Sequence, residues 1–206
     1  MGFQQFISET NIGYVGGISV ACKEEELEIS IGIKDEQYVH VQVKSKQGHE
    51  WLFTAVYASP NEQKRRGLWE KLKIIAGTIN ISWLVAGDFN DIAFAKEKKG
   101  GSIVSVRKCK IFRDNMEECN LTNMQTKGPY YTWRGPIYHG GQRIYERLDR
   151  AISNEAWRLM FTEAHVKVLT RVDFSDHHPI MIMLHYSKYE TYNKPFRFEK
   201  CMDGGT

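Results

Sequence analysis

Apolar and polar residues alternate in the early part of the chain, between residues 17 and 57. The period of two is kept in short stretches at residues 18–20, 27–31, 39–43 and 51–56. Turns that contain Gly or are rich in Lys and Glu separate these stretches. A period of two is typical of strands that bury one face, so the pattern predicts an antiparallel meander of four strands.

Helical spacing replaces this alternation after the Ser-Pro-Asn sequence at residues 59–61. The apolar positions that recur at intervals of three and four are Leu68, Trp69, Leu72, Ile75 and Ile79. They predict a helix from about residue 61 to residue 79, with its apolar face on the sheet. A compact apolar run at residues 83–86 then ends in Gly-Asp-Phe-Asn, which is typical of a buried central strand with polar residues at its C-terminal end.

The later part of the chain mixes both patterns. The predicted elements are a helix after Ser105, strands at 130–133 and 144–152 joined by a turn at Gly140 and Gly141, a short helix at 155–161 capped by Ser153 or Asn154, and closing strands at 166–169 and 179–184. Helices between later strands predict an α/β (α+β) sandwich of two packed sheets. We expect one domain over residues 1–186 and a polar tail or linker at 187–206.

Composition narrows the class of protein. The 206 residues are 42% hydrophobic and 26% charged, which fits one globular domain. The sequence offers neither a membrane span nor a signal peptide, so we expect an intracellular protein without membrane association. The four cysteines lack zinc-site spacing. A net charge of +3 permits binding to phosphate backbones without requiring it, and each basic group, at 64–66, 96–99, 107–110 and 143–150, is by itself more often a solvated face.

Three polar clusters lie where apolar strands end, a position from which rigid elements can present catalytic groups. In the first, Asp88 and Asn90 are two residues apart and can face one ligand, although an Asx turn is an equally good interpretation. In the second, Asp149 lies in a strand-like run between two arginines, and a structural ion pair with Arg147 or Arg150 is the alternative.

The third cluster is Ser-Asp-His-His-Pro at residues 175–179, directly before an apolar strand. Asp176 offers a carboxylate that can hold a metal ion, and His177 offers an imidazole that can donate to a phosphate or move a proton near neutral pH. Adjacent side chains diverge, so His177 and His178 are not expected to share one site. A loop that only caps the strand remains the alternative.

The order of these motifs resembles the endonuclease/exonuclease/phosphatase superfamily, which includes pancreatic DNase, the apurinic endonucleases and inositol polyphosphate phosphatases. Two further motifs are similar to that family: residues 56–61 before the first long helix, and Thr-Trp-Arg at residues 132–134. The Gly-Gly-Ile sequence at 16–18 and the segment 194–200 look most like endonuclease domains of plant LINE-type non-LTR retrotransposons.

The resemblance implies a DNase-like, four-layer α/β/β/α sandwich of two mixed or antiparallel sheets that hydrolyses DNA with Mg²⁺, or with Mn²⁺ in its place. It also implies a role for each matching residue. The catalytic residues are Asp88, Asn90, Asp149, His177 and Tyr57; the metal ligand is Asp176; the residues that contact the substrate are Thr132, Ser175 and Arg134. In these roles Asp88 orients the attacking water, Asn90 contacts the scissile phosphate, and Asp149 holds His177.

The chain departs from the family at its start. Family members carry a strand with an Asn and a strand ending in a metal-binding Glu upstream of the Gly-Gly segment, and here that segment comes almost at once. Only five residues lie between the Glu9-Thr10 pair and Gly16, so we interpret Glu9 as an ordinary acid. We therefore expect the first strands and the Glu ligand to be missing, with weak metal binding, marginal stability and weak or absent nuclease activity.

Two other functions remain open at this stage. One is a catalytically inactive remnant that binds nucleic acid through its basic groups, and the other is an inositol polyphosphate phosphatase of the same fold. The favoured interpretation is a DNA endonuclease that acts as a monomer and, because DNA is its substrate, in the nucleus rather than the cytoplasm.

Overall fold

The computed structural model describes residues 17–22, 25–138 and 140–184, together with the backbone of residues 5–9. The segments 1–4, 10–16, 23–24, His139 and the predicted tail at 187–206 lie outside the described residues. Within the part of the chain that is described, no helix is long and apolar enough to cross a membrane.

Fourteen strands and three α-helices make up the described fold. The strands are β1 (Gln5–Glu9), β2 (Ile18–Cys22), β3 (Leu27–Lys34), β4 (Tyr38–Ser45), β5 (Glu50–Tyr57), β6 (Trp83–Asp88), β7 (Lys98–Lys99), β8 (Thr122–Asn123), β9 (Thr126–Lys127), β10 (Trp133–Ile137), β11 (Arg143–Glu146), β12 (Asp149–Ser153), β13 (His165–Val168) and β14 (Ile180–Met183). The helices are α1 (Glu62–Thr78), α2 (Val106–Glu118) and α3 (Glu155–Met160), with one 3₁₀ turn at Ala95–Glu97.

A six-stranded sheet in the order β3-β4-β5-β6-β12-β8 forms the centre of the molecule. Its strands are antiparallel except for β5 and β6, which run parallel because α1 connects them. Three smaller sheets accompany it, in the orders β1-β2, β10-β11-β7 and β14-β13-β9. The mixed α/β class predicted from the sequence is therefore confirmed.

One face of the central sheet is covered by α1 and α2. Leu68, Trp69 and Leu72 of α1 and Phe112 of α2 are at most 3% exposed and share a core with β6. Both helices begin at the predicted positions, since the side chain of Asn61 accepts hydrogen bonds from two backbone N–H groups of α1 and that of Ser105 accepts one from α2.

The other face packs against β2, β13, β14 and α3. Val39, Val41 and Trp157 are buried there in a second core. The packing thus gives a helical layer, the central sheet and a second strand layer. The expected layered sandwich is therefore observed, and among the described residues the helix on this side is the short α3, whose Trp157 joins the second core.

Two details of the predicted topology are wrong. The first predicted strand does not join the meander: β2 pairs with β1 instead, and only β3, β4 and β5 form the antiparallel run. The predicted strand at 144–152 is two strands, because Arg147 and Leu148 leave the ladder between β11 and β12. Leu148 is buried, and its N–H donates to the side chain of Thr132 rather than to a strand. The break allows β12 to join the central sheet beside β6.

Candidate active site

The ends of three adjacent strands bring together three residues singled out in the sequence. In the parallel pair β5–β6, Tyr57 lies opposite Asp88, and in the antiparallel pair β6–β12, Asp88 lies opposite Asp149. Asp88 is 8% exposed, and Tyr57 and Asp149 are half-buried. The two carboxylates, which are 61 residues apart in sequence, are thus neighbours at one end of the sheet.

Asn90 fixes the orientation of the Asp88 carboxylate. Its backbone N–H donates to Oδ1 of Asp88 at 2.8 Å, and its side-chain Nδ2 donates to Oδ2 at 3.0 Å. The second amide hydrogen is directed to the carbonyl oxygen of Ala58 at 2.8 Å. Asn90 makes these contacts from a left-handed backbone conformation with φ of 48°. The Asx turn is therefore present and orients the carboxylate, while a contact between the Asn90 amide N–H and a phosphate would require the amide to change partners.

Asp149 and His177 form a hydrogen-bonded pair, with 2.9 Å between Oδ2 of Asp149 and Nδ1 of His177. The hydroxyl of Thr132 holds the beginning of β12, accepting from the N–H of Asp149 at 2.9 Å. Ser175 Oγ accepts from the N–H of His177 at 3.1 Å, and Trp133 forms a β-bridge with His177. Asp149 therefore orients the imidazole and leaves Nε2 as the free ring position.

The alternative ion pair of Asp149 with a neighbouring arginine is not formed. Arg150 is 1% exposed and points to the other side of the strand, where its Nη2 donates to Glu97 Oε2 at 2.9 Å. Glu97 is also buried, and its Oε2 accepts from the N–H of Ala93. This buried pair links the loop after Asp88 to the strand that carries Asp149.

Glu97 was not among the residues predicted from the sequence to belong to the site. The two arginines beside Asp149 were a signal that a buried acid is needed nearby, because a buried guanidinium requires a partner. The sequence offers many acids, however, and the fold alone brings together Glu97 and Arg150, which are 53 residues apart.

Burial and like charge shift the titration of the cluster. Burial, followed by the negative charge of Asp149, raises the pKa of Asp88 to about 6, although the hydrogen bond from Asn90 and the charge of His177 act in the opposite direction. Burial lowers the pKa of His177, but the hydrogen bond and charge of Asp149, with Asp88 and Asp176, outweigh it and raise the pKa above its ordinary value. The cluster therefore favours a protonated imidazole beside two acids.

Asp176 is the exposed acid of the cluster. Its Oδ2 accepts a hydrogen bond from the indole Nε1 of Trp133 at 2.9 Å, and its backbone oxygen accepts from the N–H of Arg134. In the described residues, no three His, Cys, Asp or Glu side chains converge as a closed metal site. Mg²⁺ does not need such a cage, since it is commonly held by one or two carboxylates together with water and substrate phosphates. The single exposed carboxylate of Asp176 fits that mode of binding, with water and phosphate oxygens as the remaining ligands.

The residues predicted to contact the substrate have different surroundings. Thr132 is 0% exposed, and its hydroxyl accepts from two backbone N–H groups, so its observed role is to position β12. Ser175 positions His177 in the same manner. Arg134 is half-buried, and its Nε has no hydrogen-bond partner among the described residues. Direct contact of Thr132, Ser175, Arg134 and Tyr57 with a substrate stays a prediction.

The basic groups found in the sequence are mostly balanced by neighbouring acids. The pairs are Lys64 with Glu36, Arg66 and Lys108 with Glu62, Lys110 with Asp114, and Lys98 with Glu146. Arg65 is buried and donates to the carbonyl oxygens of Ser59 and Pro60. These groups are thus largely local ion pairs rather than a surface of unbalanced positive charge.

Comparison with known proteins identifies the family of the chain. Residues 3–177 match the sequence model of the endonuclease/exonuclease/phosphatase family. Members of this family are generally dependent on divalent metal ions. A comparison with curated proteins yields no match.

Solved structures show the same fold. The endonuclease domain of TRAS1, a telomere-specific non-LTR retrotransposon, is 17% identical with a TM-score of 0.69, over 89% of this chain and 81% of that domain. A family protein from Leptotrichia buccalis is 15% identical with a TM-score of 0.52, over 88% of this chain and 72% of its own. One from Bacteroides thetaiotaomicron is 14% identical with a TM-score of 0.51, over 88% and 75%.

Proposed function

Because the chain belongs to the endonuclease/exonuclease/phosphatase family, we propose that it is a metal-dependent endonuclease that hydrolyses phosphodiester bonds of DNA. The observation that carries the proposal is the Asp149–His177 pair, at 2.9 Å, with the Asp88 carboxylate in the neighbouring strand. In phosphoryl transfer, His177 can supply a fixed N–H donor to the phosphate. Asp88 can accept a proton from the attacking water.

Each group of the cluster has one task in this reaction. Asp88, with both oxygens held by Asn90, orients the attacking water and accepts its proton. His177, fixed by Asp149, which also raises the pKa of its imidazole, donates from Nε2 to a phosphate oxygen on which negative charge develops. Preorganised donors of this kind typically contribute on the order of a hundredfold to a thousandfold in rate.

The metal ion is assigned to the exposed Asp176, together with water and phosphate oxygens. We propose Mg²⁺, with Mn²⁺ as a substitute, because the donor set consists of oxygen atoms. When bound, the ion offsets negative charge on the phosphate and positions it. A single exposed carboxylate holds such an ion weakly, so we expect a high metal requirement and slow turnover.

The substrate and setting follow from similarity. The TRAS1 domain is a retrotransposon endonuclease by description, and we propose that this chain is likewise a retrotransposon-derived nuclease that acts on DNA in the nucleus as a monomer. Its resemblance to plant elements rests mainly on residues 194–200, outside the described residues, and stays a prediction.

An inactive nucleic-acid-binding protein is the second candidate. The observation that favours it is the lack of a closed group of three metal ligands among the described residues. The two proposals differ in one respect: both allow DNA binding that weakens with salt, and only the first allows cleavage.

Nicking of supercoiled plasmid separates the two candidates. We expect the full chain to convert supercoiled DNA to open circles with Mg²⁺, and to lose this activity in EDTA and in His177→Ala. His165→Ala is the matched control, because His165 is a half-buried histidine of β13 outside the cluster. If the folded wild-type chain binds plasmid but does not nick it, the second candidate is correct.

A further inference from the structure

A cavity of about 280 Å³ lies on the side of the site where the chain enters β12. Its lining includes Phe94, Lys96, Glu97, Asn123, Tyr130 and Arg147, and the buried Glu97 is paired with Arg147 at 3.9 Å and with Arg150 at 2.9 Å. Its volume is near the lower end of the range for small-ligand pockets, which suits a single planar ring system. None of these six residues has a task in the proposed hydrolysis.

Two aromatic rings line the cavity, and Tyr130 is the one available for stacking, because the guanidinium of Arg113 already lies 4.9 Å from the centroid of Phe94. Tyr130 is 42% exposed and Phe94 is 44% exposed, which is high for large rings in a folded domain. Tyr130 is supported from behind, since it makes an edge contact with Tyr131 at 5.2 Å between ring centroids, and Tyr131 contacts Tyr145 of β11 at 6.0 Å. A supported ring with an exposed face is the kind of surface on which nucleic-acid bases stack.

Positive charge lies beside these rings. The guanidinium of Arg147 is 5.8 Å from the centroid of Tyr130, and its Nη2 donates to Thr126 Oγ1 at 2.9 Å. Its Nε is buried and makes no hydrogen bond within the described part of the chain. The ammonium group of Lys96 lies 5.6 Å from the ring of Phe94. Rings with adjacent cations suit an aromatic ligand that carries phosphate.

The cavity is close to the reacting phosphate. Arg147 is two residues before Asp149, and Tyr130 is two residues before Thr132, whose hydroxyl holds the N–H of Asp149. Two residues span at most about 7 Å. A DNA strand advances about 3.4 Å per base, so the backbone of Arg147, which lines the cavity, lies within roughly two nucleotides of the backbone of Asp149.

We propose that this cavity is a nucleobase-binding subsite, which takes one unstacked base of the strand that is cut, close to the scissile phosphate. The base stacks on Tyr130, and Arg147 and Lys96 contact the adjoining phosphates. The inference rests on the proposed function, because it assumes that DNA is the substrate of the neighbouring site.

Binding of DNA with single missing bases tests this subsite without any cleavage. Fluorescently labelled duplexes carry one stable abasic position, moved stepwise along the strand, and their affinity for the full chain is measured in EDTA. We expect one position near the cut site at which loss of the base weakens binding roughly tenfold, the size of one stacking contact. In Tyr130→Leu this penalty disappears, and in Tyr130→Phe it is kept because the ring remains.

Tyr138→Leu is the matched control. Tyr138 is a 46%-exposed tyrosine after β10 that does not line the cavity, so this variant keeps the penalty. The proposal is overturned if Tyr130→Leu shows the same abasic profile as the wild type, or if the folded wild-type chain does not bind DNA.

The outcome is distinct from that of the nicking assay. If the wild type nicks DNA but its abasic profile is the same in Tyr130→Leu, the subsite is disproved and the nuclease function stands. If the abasic profile depends on Tyr130 but the wild type does not nick DNA, the subsite stands and the proposed hydrolysis is disproved.

Discussion

At the scale of single residues, Asp88 shows how the site is adjusted for chemistry. An isolated Asp is ionised well below neutral pH, whereas burial and the charge of Asp149 raise the pKa of Asp88 to about 6. The ionised form at neutral pH is therefore a better proton acceptor than an ordinary carboxylate. It is also less stable in the folded chain than in the unfolded chain.

The pH dependence of stability should reveal this cost. Because the folded pKa of Asp88 lies above the unfolded value, its stabilising contribution is complete below about pH 4 and is lost as the pH rises through about 6. The loss is on the order of 3 kcal/mol, for a shift of about two pKa units. Urea unfolding in EDTA between pH 4 and pH 7.5 should show wild-type stability falling relative to Asp88→Asn. If the free energy of unfolding changes equally with pH in the two proteins, ionisation of the Asp88 carboxylate does not destabilise the folded chain.

The residue types of the site were predictable, but most of their contacts were not. Asp88, Asp149 and His177 are recognisable from short motifs at strand ends. That both amide hydrogens of Asn90 are used within the chain depends on its left-handed conformation and on the nearby carbonyl of Ala58, which belongs to another segment. The sequence carries no local signal for such a contact.

At the scale of elements, the register of β6 against β12 determines which side chains meet in the site. The sequence pattern predicted β6 from a compact apolar run and β12 as part of a strand at 144–152. It did not predict where β12 begins, because the ladder is broken at Leu148 by a contact with Thr132. Since a shift of one residue reverses every side chain of a strand, this start determines that Asp149 faces His177.

Thr132 is therefore predicted to position Asp149 rather than to contact the substrate. In Thr132→Val the N–H groups of Leu148 and Asp149 lose their acceptor, and each buried unpaired group costs about 1–3 kcal/mol. We expect lower stability and a lower kcat from a misplaced His177. Thr132→Ser keeps the hydroxyl and should restore kcat to near the wild-type value. Nicking kinetics and thermal unfolding of both variants test this prediction. A higher KM with unchanged kcat in Thr132→Val would instead indicate that Thr132 contacts the substrate directly.

At the scale of the whole molecule, the site lies between parts of the chain that are far apart in sequence. Helices α1 and α2, strands β3 to β6 and the closing strands β13 and β14 were each predicted close to their observed bounds, because each has a strong local period. The pairing of β2 with β1 was not, because strand partners are chosen by the packing of the whole fold. The layered sandwich was expected from the family resemblance, and it is observed.

In the proposed mechanism, Asp149 acts through His177. Asp149 is hydrogen-bonded to His177 at 2.9 Å and, through its charge, also raises the pKa of Asp88; in the proposed mechanism its principal task is to orient the imidazole, so Asp149 and His177 form one functional unit. Residues that act as a unit give losses of rate that do not add.

The most direct test is a cycle of nicking rates for the wild type, Asp149→Asn, His177→Gln and the double variant, each shown to be folded by circular dichroism. The account predicts that each single variant loses roughly a hundredfold or more, and that the double variant is no slower than the slower single variant. Losses that multiply in the double variant, or a folded wild type that does not nick DNA at all, would contradict it.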